Sequence, residues 1–172
     1  RMMIDAAKGL EAGGAGCLLI CSNTMHKMAP EVQAAVDIPL LHIGDAIAAA
    51  VHDSGAIRPL LLATRFAMEQ DFYLGYLRER HGIDAVVPKE RDRMEVHRVI
   101  YEELCQGKVL DSSKRAYMQI IDRACSDADA PADSVIFGCT EIGLLITPDD
   151  FSFPAFDTTV LHAEAALTFA GY

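Results

Sequence analysis

Two cysteines of this chain stand where an apolar run ends and small polar residues begin. The two stretches are Leu18-Leu19-Ile20-Cys21-Ser22-Asn23-Thr24 and Val135-Ile136-Phe137-Gly138-Cys139-Thr140-Glu141. An uninterrupted apolar run of this length is typical of a strand buried on both faces of a parallel sheet. Each thiol then lies at the carboxyl end of its strand, where open α/β sheets bind their ligands. A free cysteine is often a plain buried apolar residue, but two with the same polar continuation favour thiol chemistry.

The residues that follow Cys21 predict how its thiol is presented. Ser22, Asn23 and Thr24 are helix-capping types, so a helix is expected to begin here with its free backbone N–H groups near the thiol. A thiol beside a helix N-terminus tends toward a lowered pKa. Both cysteine units are also followed by a short strand pattern with a proline and then by an Ala-rich helix pattern. If a pseudo-twofold axis relates these two repeats, the two thiols can face each other across one cleft.

Three stretches of the chain carry a family resemblance. They are Cys21-Ser22-Asn23-Thr24-Met25-His26, Phe137-Gly138-Cys139-Thr140-Glu141-Ile142 and Thr64-Arg65-Phe66-Ala67-Met68-Glu69-Gln70-Asp71-Phe72-Tyr73. The first two resemble the paired cysteine signatures of the aspartate/glutamate racemase family, and the third resembles its bacterial broad-specificity amino-acid racemase branch. The resemblance implies a cofactor-independent isomerase with two αβ lobes and the active site between them. One cysteine removes the α-proton of the amino acid, and the other returns a proton to the opposite face.

The predicted site residues follow from this reaction. Racemisation needs one deprotonated and one protonated group on opposite faces of the α-carbon, so Cys21 and Cys139 are the predicted catalytic pair. Donors for the substrate α-carboxylate are expected among the polar residues after the cysteines, and the resemblance implies the same ones. These predicted substrate-binding residues are Ser22, Asn23, Thr24 and Thr140.

Several further residues have more than one interpretation. Thr64 stands at the end of a predicted strand, where it either contacts substrate or caps the next helix. Glu141 either orients the thiol, recognises the substrate ammonium group or complements a helix dipole. His26 either assists Cys21 or is a satisfied helix residue. The family often carries a basic carboxylate partner, for which Lys108 and Arg65 are candidates. The other three cysteines are interpreted as structural: Cys17, Cys105 and Cys125.

The composition of the chain disfavours several classes of protein. The chain has 172 residues, a formal charge of −10 and five cysteines without any C-x-x-C pair. These features disfavour nucleic acid, anionic membranes, a disulfide framework and a zinc ribbon, and they favour a cytoplasmic protein. No metal site is predicted, and the glycines at 13–16 lack the G-x-G-x-x-G spacing of a dinucleotide site. The resemblance implies a small-molecule amino-acid partner, and it allows a homodimer, which is common in such families.

The expected fold is α/β, with two pseudo-symmetric lobes of parallel βα units and the active site in the cleft between them. Residues 1–57 are a partial N-terminal lobe with the first cysteine, 58–157 a second lobe with the second cysteine, and 158–172 a helix that returns to the first lobe. Family members carry a further strand ahead of the helical pattern that opens this chain, so the N-terminal lobe is expected to be incomplete. Strands are predicted at 39–42, 57–63, 83–87 and 153–157, and helices at 30–36, 45–52, 68–80, 90–104, 112–125 and 158–170.

Three alternatives to a two-thiol racemase stay open. A one-cysteine hydrolase, decarboxylase or isomerase of the same superfamily would use a single thiol. An inactive fragment would only bind amino acids. A two-cysteine redox protein would need the two sulfurs within disulfide reach, with Cα atoms no more than about 7 Å apart.

Overall fold

Helices and parallel strands alternate along the chain in the computed structural model, which describes residues 1–172. The strands are β1 Pro59–Ala63, β2 Ser134–Gly138 and β3 Ala155–Asp157. The α-helices are α1 Met2–Ala12, α2 Ala29–Gln33, α3 Ile43–Ser54, α4 Arg65–Glu69, α5 Asp71–His81, α6 Glu90–Glu102, α7 Asp111–Cys125 and α8 Thr158–Phe169. Short 3₁₀ helices cover Thr24–Met28, Leu104–Gln106, Ile142–Leu144 and Pro148–Asp150. None of the helices is both long enough and apolar enough to cross a membrane.

The sheet has the order β1-β2-β3, and every pair is parallel. All residues of β1 and β2 are buried, as expected for strands covered on both faces. Pro59 does not mark an edge: it is the first residue of β1, where the missing N–H is tolerated, and β1 lies between β2 and a bridge to Val86. The expected parallel α/β fold is confirmed.

Some predicted elements are shorter than expected. The segments around Leu18 and Leu40 form one isolated parallel bridge instead of two strands, and the strand predicted at 83–87 is likewise a single bridge between Val86 and Leu60. A pair without a third strand is marginal. The helix predicted at 68–80 is interrupted at Gln70, whose extended backbone (φ −98°, ψ 144°) ends α4 before α5 begins.

Buried side chains form two clusters of different size. The larger cluster has 28 buried residues and includes β1, β2 and the inner face of α3. The smaller one has four buried residues, among them Ala7 and Leu18. The last helix, α8, packs against α3, and His162 Nε2 donates to the carbonyl of Leu41 at 2.7 Å. The division of the chain near residue 58 stays a prediction.

Candidate active site

A cavity of about 340 Å³ lies at the carboxyl ends of β1 and β2. Its lining includes both predicted catalytic cysteines and all the predicted substrate-binding residues, together with several residues that the sequence did not single out. The lining residues are Cys21, Ser22, Asn23, Thr24, Met25, Thr64, Ile100, Tyr101, Cys105, Gly138, Cys139, Thr140 and Glu141. A larger depression of about 950 Å³ between α6 and α7 contains no thiol and is lined mostly by charged side chains. The smaller cavity therefore holds the groups that can do chemistry.

Cys139 is a protonated thiol held by a carboxylate. It follows the buried strand β2 and is itself half-buried. Its Sγ donates to Glu141 Oε2 at 3.0 Å, and Thr140 Oγ1 donates to the same oxygen at 2.7 Å. Burial raises the pKa of Cys139 far above its usual range, and the hydrogen bond and negative charge of Glu141 raise it further. Cys139 therefore carries its proton at neutral pH.

Glu141 is ionised in this arrangement. Its own burial would raise the pKa of the carboxyl, but the hydrogen bonds from Cys139 and Thr140 outweigh burial and hold the pKa below its usual range. A carboxylate that accepts several hydrogen bonds is stabilised in its charged form. The cavity thus contains one fixed negative charge and no lysine or arginine in its lining.

Cys21 has a more open environment. Its side chain is exposed, and its sulfur has no hydrogen-bond partner in the chain. Ser22 N–H bonds back to the Ile20 carbonyl at 2.7 Å, so the segment turns sharply immediately after the cysteine. The helix predicted after Cys21 begins as the 3₁₀ helix Thr24–Met28, and the one after Cys139 is only Ile142–Leu144.

Backbone N–H donors remain free at the cavity, although only short 3₁₀ helices follow the two cysteines. The N–H groups of Asn23, Thr24 and Thr140 form no hydrogen bond within the chain. Helices this short have little macrodipole, so the donors act as individual N–H groups. They remain suited to an anionic oxygen, because a preorganised backbone donor needs no reorganisation to meet it.

Thr64 and Thr24 contact each other across the cavity wall. Their Oγ1 atoms are 3.0 Å apart, and Thr64 makes no side-chain capping bond to α4 although it precedes that helix. Of the two interpretations of Thr64, capping is therefore wrong for its side chain. One of the two hydroxyl protons forms the shared bond, and the other remains available to a ligand.

Asn23 and His26 are structural in their side chains. The Asn23 amide donates to Thr158 Oγ1 at 2.9 Å and accepts from the Tyr73 hydroxyl at 2.8 Å, which leaves its backbone N–H as the free donor. The ring of His26 is buried, with Nδ1 bonded to the Ser22 carbonyl at 2.8 Å and Nε2 accepting from Ile43 N–H at 3.1 Å. His26 therefore anchors the loop of Cys21 and does not reach the cavity.

The structure adds residues that the sequence did not single out. Cys105 is exposed and lines the cavity, although it was not predicted to lie there; its interpretation as structural stays a prediction. Burial raises the pKa of Cys105, and the charge and hydrogen-bonding capacity of Glu141 add to that rise. Tyr101 lines the same wall. Its spacing of four residues from Cys105 was the feature of the sequence that could have placed these two side chains on one side of a helical segment. The basic candidates Lys108 and Arg65 do not line the cavity, and Arg65 pairs with Glu69 at 3.6 Å.

No set of three His, Cys, Asp or Glu side chains is arranged to hold a metal ion. The five cysteines are all free thiols.

Comparison with known proteins identifies close relatives of this arrangement. The family model described as Asp/Glu/Hydantoin racemase matches residues 1–166. A Yersinia pestis protein proposed to be an Asp/Glu racemase is 44% identical, with a TM-score of 0.91 over 99% of this chain and 73% of that one. An aspartate racemase homologue from Pyrococcus horikoshii is 34% identical, with a TM-score of 0.87 over 99% of this chain and 74% of that one. The Picrophilus torridus aspartate racemase shares the fold at 23% identity and a TM-score of 0.76, over 99% of this chain and 68% of that one.

Proposed function

Because the chain belongs to the Asp/Glu/Hydantoin racemase family, we propose that it is an amino-acid racemase that works without a cofactor. The observation that carries the proposal is the presence of Cys21 and Cys139 in one cavity, each at the end of an apolar segment and each followed by backbone donors. A single-thiol reaction has no need of the second cysteine.

The protonation of Cys139 suggests the direction of each transfer. In one direction, Cys21 as thiolate takes the α-proton, so the C–H bond breaks and an S–H bond forms. Cys139, which holds its proton at neutral pH, gives that proton to the opposite face of the carbon and becomes a thiolate. The reverse reaction begins from the opposite protonation states, as microscopic reversibility requires.

The remaining polar groups fit the two charged ends of an amino acid. The α-carboxylate is proposed to meet the free N–H groups of Asn23, Thr24 and Thr140, with the hydroxyls of Ser22 and Thr64 nearby. Such donors also stabilise the negative charge that develops when the α-proton leaves.

Glu141 is proposed to face the substrate ammonium group. An ammonium placed against Glu141 offsets the carboxylate charge that helps to hold the pKa of Cys139 high. Substrate binding then lowers the pKa of Cys139 and makes it a better proton donor at the moment of transfer.

Aspartate is the first substrate to test, since two of the similar structures carry aspartate racemase in their descriptions. The lining has no lysine or arginine to pair with a second carboxylate, and it includes the apolar side chains of Met25 and Ile100. This lining favours neutral amino acids as a second candidate class.

The test is α-proton exchange in D₂O, followed by NMR and by chiral chromatography. Aspartate, glutamate, a panel of neutral amino acids and a 5-substituted hydantoin are each incubated with the protein. Exchange with inversion is expected. Either substitution, Cys21→Ala or Cys139→Ala, is expected to lower the rate of inversion by about 10³-fold or more, because each removes one of the two proton-transfer groups.

The matched control is Cys17→Ala, which removes a thiol four residues before Cys21 that does not line the cavity. It is expected to leave the rate unchanged. Binding of amino acids without any exchange would support a binding-only chain. Loss of a carboxyl group from a disubstituted malonate, dependent on only one cysteine, would favour the one-cysteine alternative.

A further inference from the structure

A buried series of hydrogen bonds connects the loop of Cys21 to strand β2, which ends just before Cys139. The hydroxyl of Tyr73 donates to Asn23 Oδ1 at 2.8 Å, Asn23 Nδ2 donates to Thr158 Oγ1 at 2.9 Å, and Thr158 Oγ1 donates to the carbonyl of Phe137 at 2.8 Å. We call this series the Thr158 bridge. Its three side chains are no more than 3% exposed, so water does not compete for these bonds.

The chemistry of the bridge allows only one direction of donation. The Phe137 carbonyl can only accept, so the single proton of the Thr158 hydroxyl points to it. The Thr158 oxygen must then accept from Asn23 Nδ2, which turns Asn23 Oδ1 toward the Tyr73 hydroxyl. The four groups can therefore bond in one arrangement only, and a buried hydrogen-bond network of this kind holds its members in place.

The ends of the bridge are close to the reacting sulfurs in the chain. Asn23 is two residues after Cys21, and Phe137 is two residues before Cys139. Thr158 begins α8 and is held there by Asp157, whose Oδ1 accepts from Thr159 N–H at 2.8 Å. One hydroxyl from a third part of the chain therefore joins the loop of Cys21 to the strand that presents Cys139.

We propose that Thr158 is a positioning residue that sets the separation of the two thiols across the substrate α-carbon. The inference rests on the proposed racemase function, and it assigns no contact between Thr158 and the substrate. Two-base transfer needs both sulfurs aligned on one carbon, and a misplacement of about 1 Å costs about a hundredfold in rate. Without the hydroxyl, Asn23 Nδ2 and the Phe137 carbonyl lose their shared partner, and the loop of Cys21 can move away from β2.

The test uses Thr158→Val, which keeps the shape of the side chain and removes the hydroxyl, and Thr158→Ser, which keeps the hydroxyl. Racemisation in D₂O is followed by measuring deuterium in the inverted product and in the recovered starting enantiomer. When the thiol that donates to the opposite face is displaced, the carbanion has a longer lifetime. The thiol that took the α-proton then exchanges this proton with solvent and returns a deuteron to the original face. Thr158→Val is therefore expected to lower kcat for inversion by 10- to 100-fold, a range that such a displacement allows. We also expect an increase in the ratio of deuterium in starting enantiomer to deuterium in product.

Three comparisons separate positioning from loss of folded protein. Thr158→Ser is expected to restore both kcat and the deuterium ratio. Thr159→Val, an exposed neighbour outside the bridge, is expected to change neither. Tyr73→Phe removes only the outer donor and is expected to raise the deuterium ratio less than Thr158→Val does. This variant also tests the bridge if Thr158→Val does not fold.

The outcomes distinguish this inference from the function on which it rests. If the unchanged protein neither inverts nor exchanges any substrate, the racemase proposal itself fails. If the unchanged protein racemises but Thr158→Val and Tyr73→Phe keep its deuterium ratio, the positioning role is overturned. A fall in both deuterium signals by the same factor, as unfolding of part of the sample produces, also counts against positioning.

Discussion

The two cysteine loops look alike in sequence and differ in the environment that the fold gives them. Cys139 follows a five-residue strand of the sheet, is half-buried and donates to Glu141. Cys21 follows a segment with a single bridge, is exposed and has no hydrogen-bond partner. Two cysteines with similar flanking sequences can therefore supply two chemically different thiols, which is what a two-base reaction needs in its starting state.

The loops are also held in place by different means. The loop of Cys139 is an extension of β2, whose neighbours on both sides are strands. The loop of Cys21 is held by side chains, with His26 bonded to Ser22 and Ile43 and with Asn23 bonded to Thr158. The comparison predicts that the stability of the Cys139 loop is sensitive to packing, and that the stability of the Cys21 loop is sensitive to protonation of His26.

Removal of the charge beside Cys139 is expected to have the largest effect. In Glu141→Gln, the carboxylate that raises the pKa of Cys139 is gone, so the pKa falls and the thiolate forms at lower pH. Site-resolved iodoacetamide labelling against pH should show that Cys139 reacts at lower pH in Glu141→Gln than in the unchanged protein. The rate of racemisation should nevertheless fall, by about 10- to 100-fold, because the amide no longer pairs with the substrate ammonium group that Glu141 is proposed to face.

The control for this substitution is Glu164→Gln, an exposed glutamate on α8 that should change neither the labelling nor the rate. An unchanged or raised midpoint for Cys139 in Glu141→Gln would contradict the contrast between the two thiols.

A methyl group added before Cys139 is expected to destabilise the fold. A Cβ at Gly138 would lie 2.6 Å from Leu61 Cδ1 and 3.0 Å from Ala63 Cβ, so Gly138→Ala should lower the free energy of unfolding by about 1–3 kcal/mol. Gly16, ahead of the first cysteine, has nothing within 4 Å of such a Cβ, and Gly16→Ala should stay within about 0.5 kcal/mol. Urea unfolding of both variants measures the difference, and equal effects would show that the two loops are packed alike.

The loop of Cys21 should make the stability of the fold depend on pH. Burial lowers the pKa of His26 to about 4, below the value of about 6.5 in an unfolded chain. Between these values the unfolded state binds more protons, so the stability that His26 provides above pH 6.5 is lost as the pH falls toward 4. Protonation would also set an Nε2–H against the N–H of Ile43, which Nε2 now accepts.

The measurement is the free energy of unfolding at pH 7 and pH 5. It should fall by about 1–2 kcal/mol on account of His26, and His26→Gln should remove that part of the fall, whatever its stability at pH 7. His52→Gln, an exposed histidine near the end of α3, should keep the fall. A pH dependence equal in His26→Gln and the unchanged protein would rule out His26 as the acid-sensitive contact.

The sequence was informative where a rule of local structure applies. Parallel strands end at one edge of a sheet, so the polar residues after Cys21 and Cys139 could be expected to meet there, as they do in the cavity. The lengths of the elements were less predictable. The apolar run before Cys21 looks like the one before Cys139, yet it forms only one bridge to Leu40, because a strand also needs neighbours, and those are supplied by distant parts of the chain.

By itself, the sequence determined the family, the parallel α/β fold and the meeting of Cys21, Cys139 and the polar residues that follow them, because these depend on residue types and their order along the chain. Only the tertiary structure decided that Cys139 keeps its proton, that Cys105 reaches the same cavity and that the side chain of Asn23 bonds to Thr158. Each of these depends on burial or on contacts between segments far apart in the chain, and no local pattern of residues records either.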